Sequence, residues 1–223
     1  MILAHWHRLK EAQVDTTTTP SIQFRAATNG VFRGGFNPGS VTLSGLTSGD
    51  FVIAILADDS TASPPLDTDW TNINVTTATQ SLRAAYIFAT GSSVTYSATF
   101  FSGANGSMVL TAFSGVNSST PLDVTSTLNV ASNTTSITPA SITTSTDNCM
   151  IFAGLGAGGA DITVTDPTGY TRADKGSGGV NNEESVTVGV YKNQSTSGTE
   201  TIGSFGLSAS RNARTITIAL RPA

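Results

Sequence analysis

The 223-residue chain is poor in the side chains that most enzymes use for acid, base and nucleophilic work. It has one cysteine, two histidines, three lysines and four glutamates, and only 12% of its residues are charged. A lone cysteine excludes a disulfide within the chain, and in the run Cys149-Met150-Ile151-Phe152 it reads as a small buried hydrophobe. His5 and His7 both lie near the N-terminus, outside any Ser-His-Asp context and without a third metal ligand at a usual spacing. The rest of the chain has no histidine, so the sequence points away from an enzyme, and no cofactor is expected. The shortage of Lys and Glu, both good helix formers, excludes a mainly helical fold. No window reaches the roughly 18 consecutive apolar residues of a membrane span. The first fifteen residues lack the pattern of a secretory signal, so synthesis and folding in a cytoplasm, with no membrane partner, are expected.

Charge is also unevenly placed. Residues 1–35 hold four basic and two acidic side chains (+2), and residues 36–223 hold seven basic and thirteen acidic (−6). An acidic body lacks the basic stripe that nucleic acid requires, so no nucleic-acid partner is expected.

What the chain does have is Ser and Thr, 27 plus 36 residues, and 22 glycines. This is a composition of strands joined by polar turns. Gly154, Gly156 and Gly159 fit G-x-G-x-x-G, but the residues that follow, Ile162 to Thr165 and then Pro167 and Gly169, suit a strand and a turn. The helix that would hold a pyrophosphate is missing, so no nucleotide site is expected.

A weak internal repeat runs through the chain. "GDFVIAILADDS" from Gly49 aligns with "DNCMIFAGLGAG" from Asp147, "DWTNI" from Asp69 with "GYTRA" from Gly169, "AAYIFATGSS" from Ala84 with "GVYKNQSTSG" from Gly189, and "MVLTAF" from Met108 with "TITIAL" from Thr215. The offsets, 98, 100, 105 and 107, grow as they would if turns had diverged in length. The glycine run then becomes a flexible exit from a core strand, with Phe51 to Ala57 and Cys149 to Leu155 as equivalent central strands. In "TITIAL", alternation turns Ile216, Ile218 and Leu220 inward and Thr215 and Thr217 outward.

The expected fold is all-β: a jelly-roll-like antiparallel β-sandwich built from two weakly duplicated strand sets, with an extended N-terminal arm. The arm is residues 1–35 and the sandwich 36–223, with copy one at about 41–113 and copy two at about 137–220. The two copies are expected to interleave in one sandwich, joined by a Ser/Thr-rich linker from Ser114 to Thr146.

Few residues suggest a site. Asp58, Asp59, Asp67 and Asp69 share one loop and are weak calcium candidates; without EF-hand spacing they read as a solvated loop, and no metal is expected. Trp70 and Tyr170, at equivalent places in the copies, read as aromatics sealing the sandwich ends. In the arm, Leu3, Trp6, Leu9, Phe24 and Phe32 offer apolar surface to a partner, and Arg8, Lys10, Arg25 and Arg33 offer positive charge.

The order of motifs has a likeness. "GD" entering an apolar strand, "W-T", "Y-x-x-A-T-G", "F-S-G-V" with "P-L-D", "T-T-x-x-D-N" before a second apolar strand, "P-T-G-Y-T" and a terminal "I-T-I-A-L-R-P-A" resemble structural proteins of tailed bacteriophages and prophages. The likeness spans about residues 40–223 and rests on the order and the ending. It implies a β-rich virion component without catalytic residues: a capsid decoration or cement protein on the assembled shell. Its partner would be the major capsid protein or another virion component, and it would itself form a homo-oligomer such as a trimer. The alternative is a tail-associated or fibre-like adhesin that binds host-surface glycans.

Overall fold

The structure, a computed structural model, describes residues 21–32, 39–60, 62, 64, 66–77, 80–98, 105–159, 162–177 and 185–223. Among these there is no helix; the chain is an antiparallel β-sandwich protein. The first half forms β1 (Gln23–Phe32), β2 (Gly39–Ser44), β3 (Phe51–Asp58), β4 (Thr71–Thr76), β5 (Ser81–Phe88), β6 (Ser93–Ala98) and β7 (Gly106–Ser114). The second half forms β8 (Leu122–Ile137), β9 (Ile142–Thr144), β10 (Cys149–Gly158), the short β11 (Val164–Thr165), β12 (Thr171–Ser177), β13 (Ser185–Gln194), β14 (Gly198–Glu200) and β15 (Phe205–Leu220).

The halves have one topology. A large sheet ordered β1-β7-β3-β5-β4 is matched by β8-β15-β10-β13-β12, and a small sheet β2-β6 by β9-β14; β11 adds to β15. Pairing is nested: β1 pairs with β7, β2 with β6 and β3 with β5, and likewise β8 with β15, β9 with β14 and β10 with β13. Irregularities repeat as well. Arg25 is an extra residue where β1 pairs with β7, and Asp123 is extra where β8 pairs with β15. Ile73 bulges from β4 against β5, and Ala173 from β12 against β13. The turn into each central strand uses a left-handed residue, Gly49 (φ 93°) and Asn148 (φ 60°). Bulges repeated at matching positions are inherited features of a duplicated unit.

The expectation of interleaved copies is therefore corrected: each copy keeps its own sheets, because nested pairing closes within a copy. Two boundaries move with it. Residues 23–32, expected in the arm, form the first strand of copy one, and residues 122–137, expected in the linker, form the first strand of copy two. Residues 1–20 and 33–38 lie outside the described residues.

The large sheets stack face to face. β1 lies over β12, β7 over β13, β3 over β10, β5 over β15 and β4 over β8. Only a two-fold axis running along β3 and β10, between the sheets, gives all five pairs, so the copies are related as the subunits of an isologous dimer. Phe51, Ile53, Ile55, Phe113, Phe152, Ile216 and Ile218 fill this seam and are almost wholly buried. Each large side chain buried there contributes about 1.5–3 kcal/mol. Hydrogen bonds cross the seam between the Ser107 and Thr187 hydroxyls (2.6 Å), from the Ser185 hydroxyl to the Ala57 carbonyl (3.0 Å) and from the Asn29 amide to Asp174 (3.1 Å). Each large sheet buries its other face under the small sheet of its own copy. There Val52, Ala54 and Leu56 meet Val41, Leu43 and Tyr96, and Ile151, Ala153 and Leu155 belong to the corresponding cluster with Ile142.

This arrangement shifts the repeat by one residue at the central strands. Phe51 pairs with Phe113 and Met150 with Leu220, so Phe51 is equivalent to Met150, an offset of 99 rather than 98. A slip of one residue exchanges the faces of a strand. Ile53 accordingly lies in the seam and Ile151 in the outer core, although both are fully buried. The glycines also receive a different role: Gly154 and Gly156 lie inside β10 rather than in a loop. A β-carbon on Gly154 would sit 3.0 Å from the Ile55 side chain, and one on Gly156 would sit 2.7 Å from the Ala57 β-carbon. Ile55 and Ala57 are their equivalents in copy one, so the glycines let equivalent positions approach across the axis. Thr215 and Thr217 do turn to the face opposite Ile216, but that face is covered, and both are buried.

Candidate functional site

Two-fold packing creates two related places at the end of the seam where β3 and β10 begin. In one, β8 crosses the β4–β5 side of copy one. There Phe51 stacks on Tyr86 (ring centroids 5.0 Å apart) and meets Phe88 edge-on (5.4 Å), and Leu122 packs against the same core. In the other, β1 crosses β12 and β13. The equivalents are Met150 for Phe51, Tyr191 for Tyr86, Asn193 for Phe88, Lys192 for Ile87 and Phe24 for Leu122. The tyrosine is kept, while the seam residue Phe88 has become Asn193; Ile87, which Lys192 replaces, packs on the outer core across the strand. An open groove of about 520 Å³ results, lined by Phe24, Met150, Thr171, Tyr191 and Asn193, with Gln23 and Lys192 at its margin.

The groove has an aromatic wall. Phe24 and Tyr191 are parallel, with centroids 5.0 Å apart and planes at 2°, and both stand edge-on against the fully buried Phe113. Phe24 is 37% exposed, among the most exposed large apolar side chains described. Strand pairing fixes this wall: Phe24 pairs with Phe113 just before the Arg25 bulge, and Tyr191 pairs with Phe152. Arg25, at the bulge, reaches Asp50 (3.5 Å) beneath the sheet end.

The charge at the margin is neutralised. Lys192 Nζ lies 2.7 Å from Glu200, which also accepts the Tyr170 hydroxyl (3.0 Å), and the ammonium sits 5.7 Å from the centre of the Tyr170 ring. Burial raises the Tyr191 phenol, and burial followed by the Glu200 charge raises that of Tyr170, so both keep their protons at neutral pH. The groove thus presents aromatic faces, amides and hydroxyls rather than a free charge.

The four weak calcium candidates do not come together as one site. Burial raises the Asp58 carboxyl, and its Oδ1 accepts from the Ser60 amide (3.1 Å) and from the Ser81 hydroxyl. Asp59 clips the Asn105 amide (2.8 Å), and Asp67 accepts from the amides of Ser97 (2.7 Å) and Asp69 (3.3 Å). These carboxylates tie loops to strands at separate points. Among the described residues no group of three or more His, Cys, Asp or Glu is placed to hold a metal ion. Cys149 is buried, its thiol pushed up to about 12 chiefly by burial, and Sγ donates to the Thr146 carbonyl (3.1 Å). Trp70 is buried edge-on against Tyr96 and donates to the Thr95 carbonyl (3.3 Å), whereas Tyr170 is only partly buried.

The expected partner residues separate. Phe24 lines the groove, Arg25 is half-exposed at the bulge, and Phe32 is buried in the outer core of copy one, which removes it from any partner surface. Leu3, Trp6, Arg8, Leu9, Lys10 and Arg33 lie outside the described residues, as do His5 and His7. Sequence reasoning missed Tyr191, Asn193 and Lys192. The signal was present in the repeat, which sets "YIF" against "YKN" and so shows two apolar residues replaced by polar ones beside a retained tyrosine.

No family model matches the chain, and neither a curated protein nor a solved structure matches it.

Proposed function

We propose that the protein is a non-enzymatic virion structural component, a decoration protein that binds the assembled shell of a tailed bacteriophage. It comprises two jelly-roll-like units and is a homo-oligomer in the particle. Nested pairing supports the jelly-roll description, and the order of motifs supports the phage assignment. The observation that carries the structural role is the pair of equivalent outer faces. On β2 and β6, Ser40, Thr42, Ser93 and Thr95 are exposed, and the hydroxyls of Thr42 and Thr95 hydrogen-bond at 2.8 Å. On β9 and β14, Thr143 and Thr199 make the same cross-strand contact at 2.9 Å. Two hydroxyl-bearing faces, one on each copy of the packed pseudo-dimer, suit contact with repeating neighbours in a lattice, where complementarity over area matters more than a concave site.

Quantitative mass spectrometry of purified particles tests this assignment. Hundreds of copies per virion are expected, with fewer incorporated when Thr42 and Thr143 are both changed to Arg. Absence from particles, or full occupancy by that variant, contradicts it. A handful of copies favours the second reading, a tail-associated adhesin for host-surface glycans, to which the open groove lends a specific observation.

A further inference from the structure

We propose that the groove between β1, β12 and β13 binds an uncharged saccharide. The inference develops the second reading and does not require the capsid assignment. Duplication supplies an internal comparison. The corresponding seam is packed with Phe51, Tyr86, Phe88 and Leu122, whereas this one carries Asn193 where the other has Phe88. The change from apolar to polar follows the opening of about 520 Å³, a volume within the range of small-ligand sites.

The chemistry of the lining selects the ligand. A sugar ring has an apolar face of C–H bonds and a rim of hydroxyls. Phe24, stacked on Tyr191 and 37% exposed, provides aromatic surface for the first. The Asn193 and Gln23 amides and the Thr171 hydroxyl provide both donors and acceptors for the second. Pairing of Lys192 with Glu200 removes the free charge that would favour an anion, so a neutral hexose or N-acetylhexosamine fits better than an acidic sugar or a phosphate. Asn193 is exposed, so substitution there alters the groove without disturbing the core.

Saturation-transfer NMR on the full chain tests this, with glucose, galactose, mannose and N-acetylglucosamine as separate millimolar probes, and with inorganic phosphate, which has no carbon-bound protons, followed by broadening of its phosphorus-31 line. Transfer to at least one neutral sugar is expected, with little sensitivity to added salt and no broadening of the phosphate line. Asn193→Phe, which installs the residue of the other copy, and Tyr191→Ala should each weaken binding at least tenfold, while Tyr86→Ala leaves it unchanged. Circular dichroism checks that each variant is folded. Failure of every neutral sugar to bind overturns the proposal, as does equal binding by folded Asn193→Phe or a preference for phosphate. Particle counting is independent of these outcomes, so loss of the saccharide site and loss of the virion role are distinguishable.

Discussion

At the scale of single residues, the most consequential polar side chain is Asp123, the bulge residue of β8. Its side chain is shielded from solvent, yet it accepts hydrogen bonds from the Ser145 amide (2.6 Å) and the Thr146 hydroxyl (2.6 Å) and pairs with Arg221 (3.0 Å). Burial on its own would raise the carboxyl, but these contacts outweigh it and hold the group below its ordinary value. One carboxylate thus ties the first strand of copy two to the turn before β10 and to the C-terminus. Because the folded value is depressed, the stabilisation is present above the unfolded value near 3.8 and is lost as pH falls through the folded one. Asp123→Asn should therefore lower stability by about 2 kcal/mol at neutral pH, the loss of hydrogen bonds to a charged acceptor. Urea denaturation across a pH series should show that deficit shrinking below about pH 4. A deficit that stays constant with pH would place its origin elsewhere.

At the scale of strands, most of the central and last strands of each copy could be read in the sequence, because long apolar runs such as "FVIAILA" and "MVLTAF" have no alternative but the core. The first strands could not. β1 and β8 are edge strands whose described side chains are mostly exposed or intermediate, and their Ser, Thr, Asn and Gly content is that of a tail or linker. Pairing with β7 and β15, a long-range interaction, makes them strands. The arm prediction changes accordingly. A chain truncated through residue 35 loses β1 and leaves β7, whose side chains are almost all buried, as an uncovered apolar edge. That truncation should abolish cooperative unfolding or solubility, while truncation through residue 20 should retain a cooperative urea transition. Equal behaviour of the two proteins would show that β1 is dispensable.

At the scale of the whole molecule, the sequence revealed the duplication but not how its copies meet. The repeat was found by similarity, and similarity tolerated a one-residue error at β10 that only the pairing of Met150 with Leu220 corrects. The groove was hidden for the same reason. Its walls, Phe24 and Tyr191, are far apart in the chain and become neighbours only when β1 crosses β13, so no local motif could announce it. Seam packing also assigns a purpose to glycines that resemble a nucleotide motif: Ile55 projects into the space left by its own equivalent, Gly154. A double-mutant cycle in urea tests this two-fold seam most directly. Gly154→Ala should destabilise by about 1–3 kcal/mol through overpacking, and Ile55→Ala by about 2–5 kcal/mol through lost burial. Removing the Ile55 side chain should relieve most of the crowding and leave only the contact with Ile216 at 3.1 Å, so Gly154→Ala is predicted to cost clearly less in the Ile55→Ala background than on its own. Costs that simply add would mean that the two residues do not meet, and would contradict the seam.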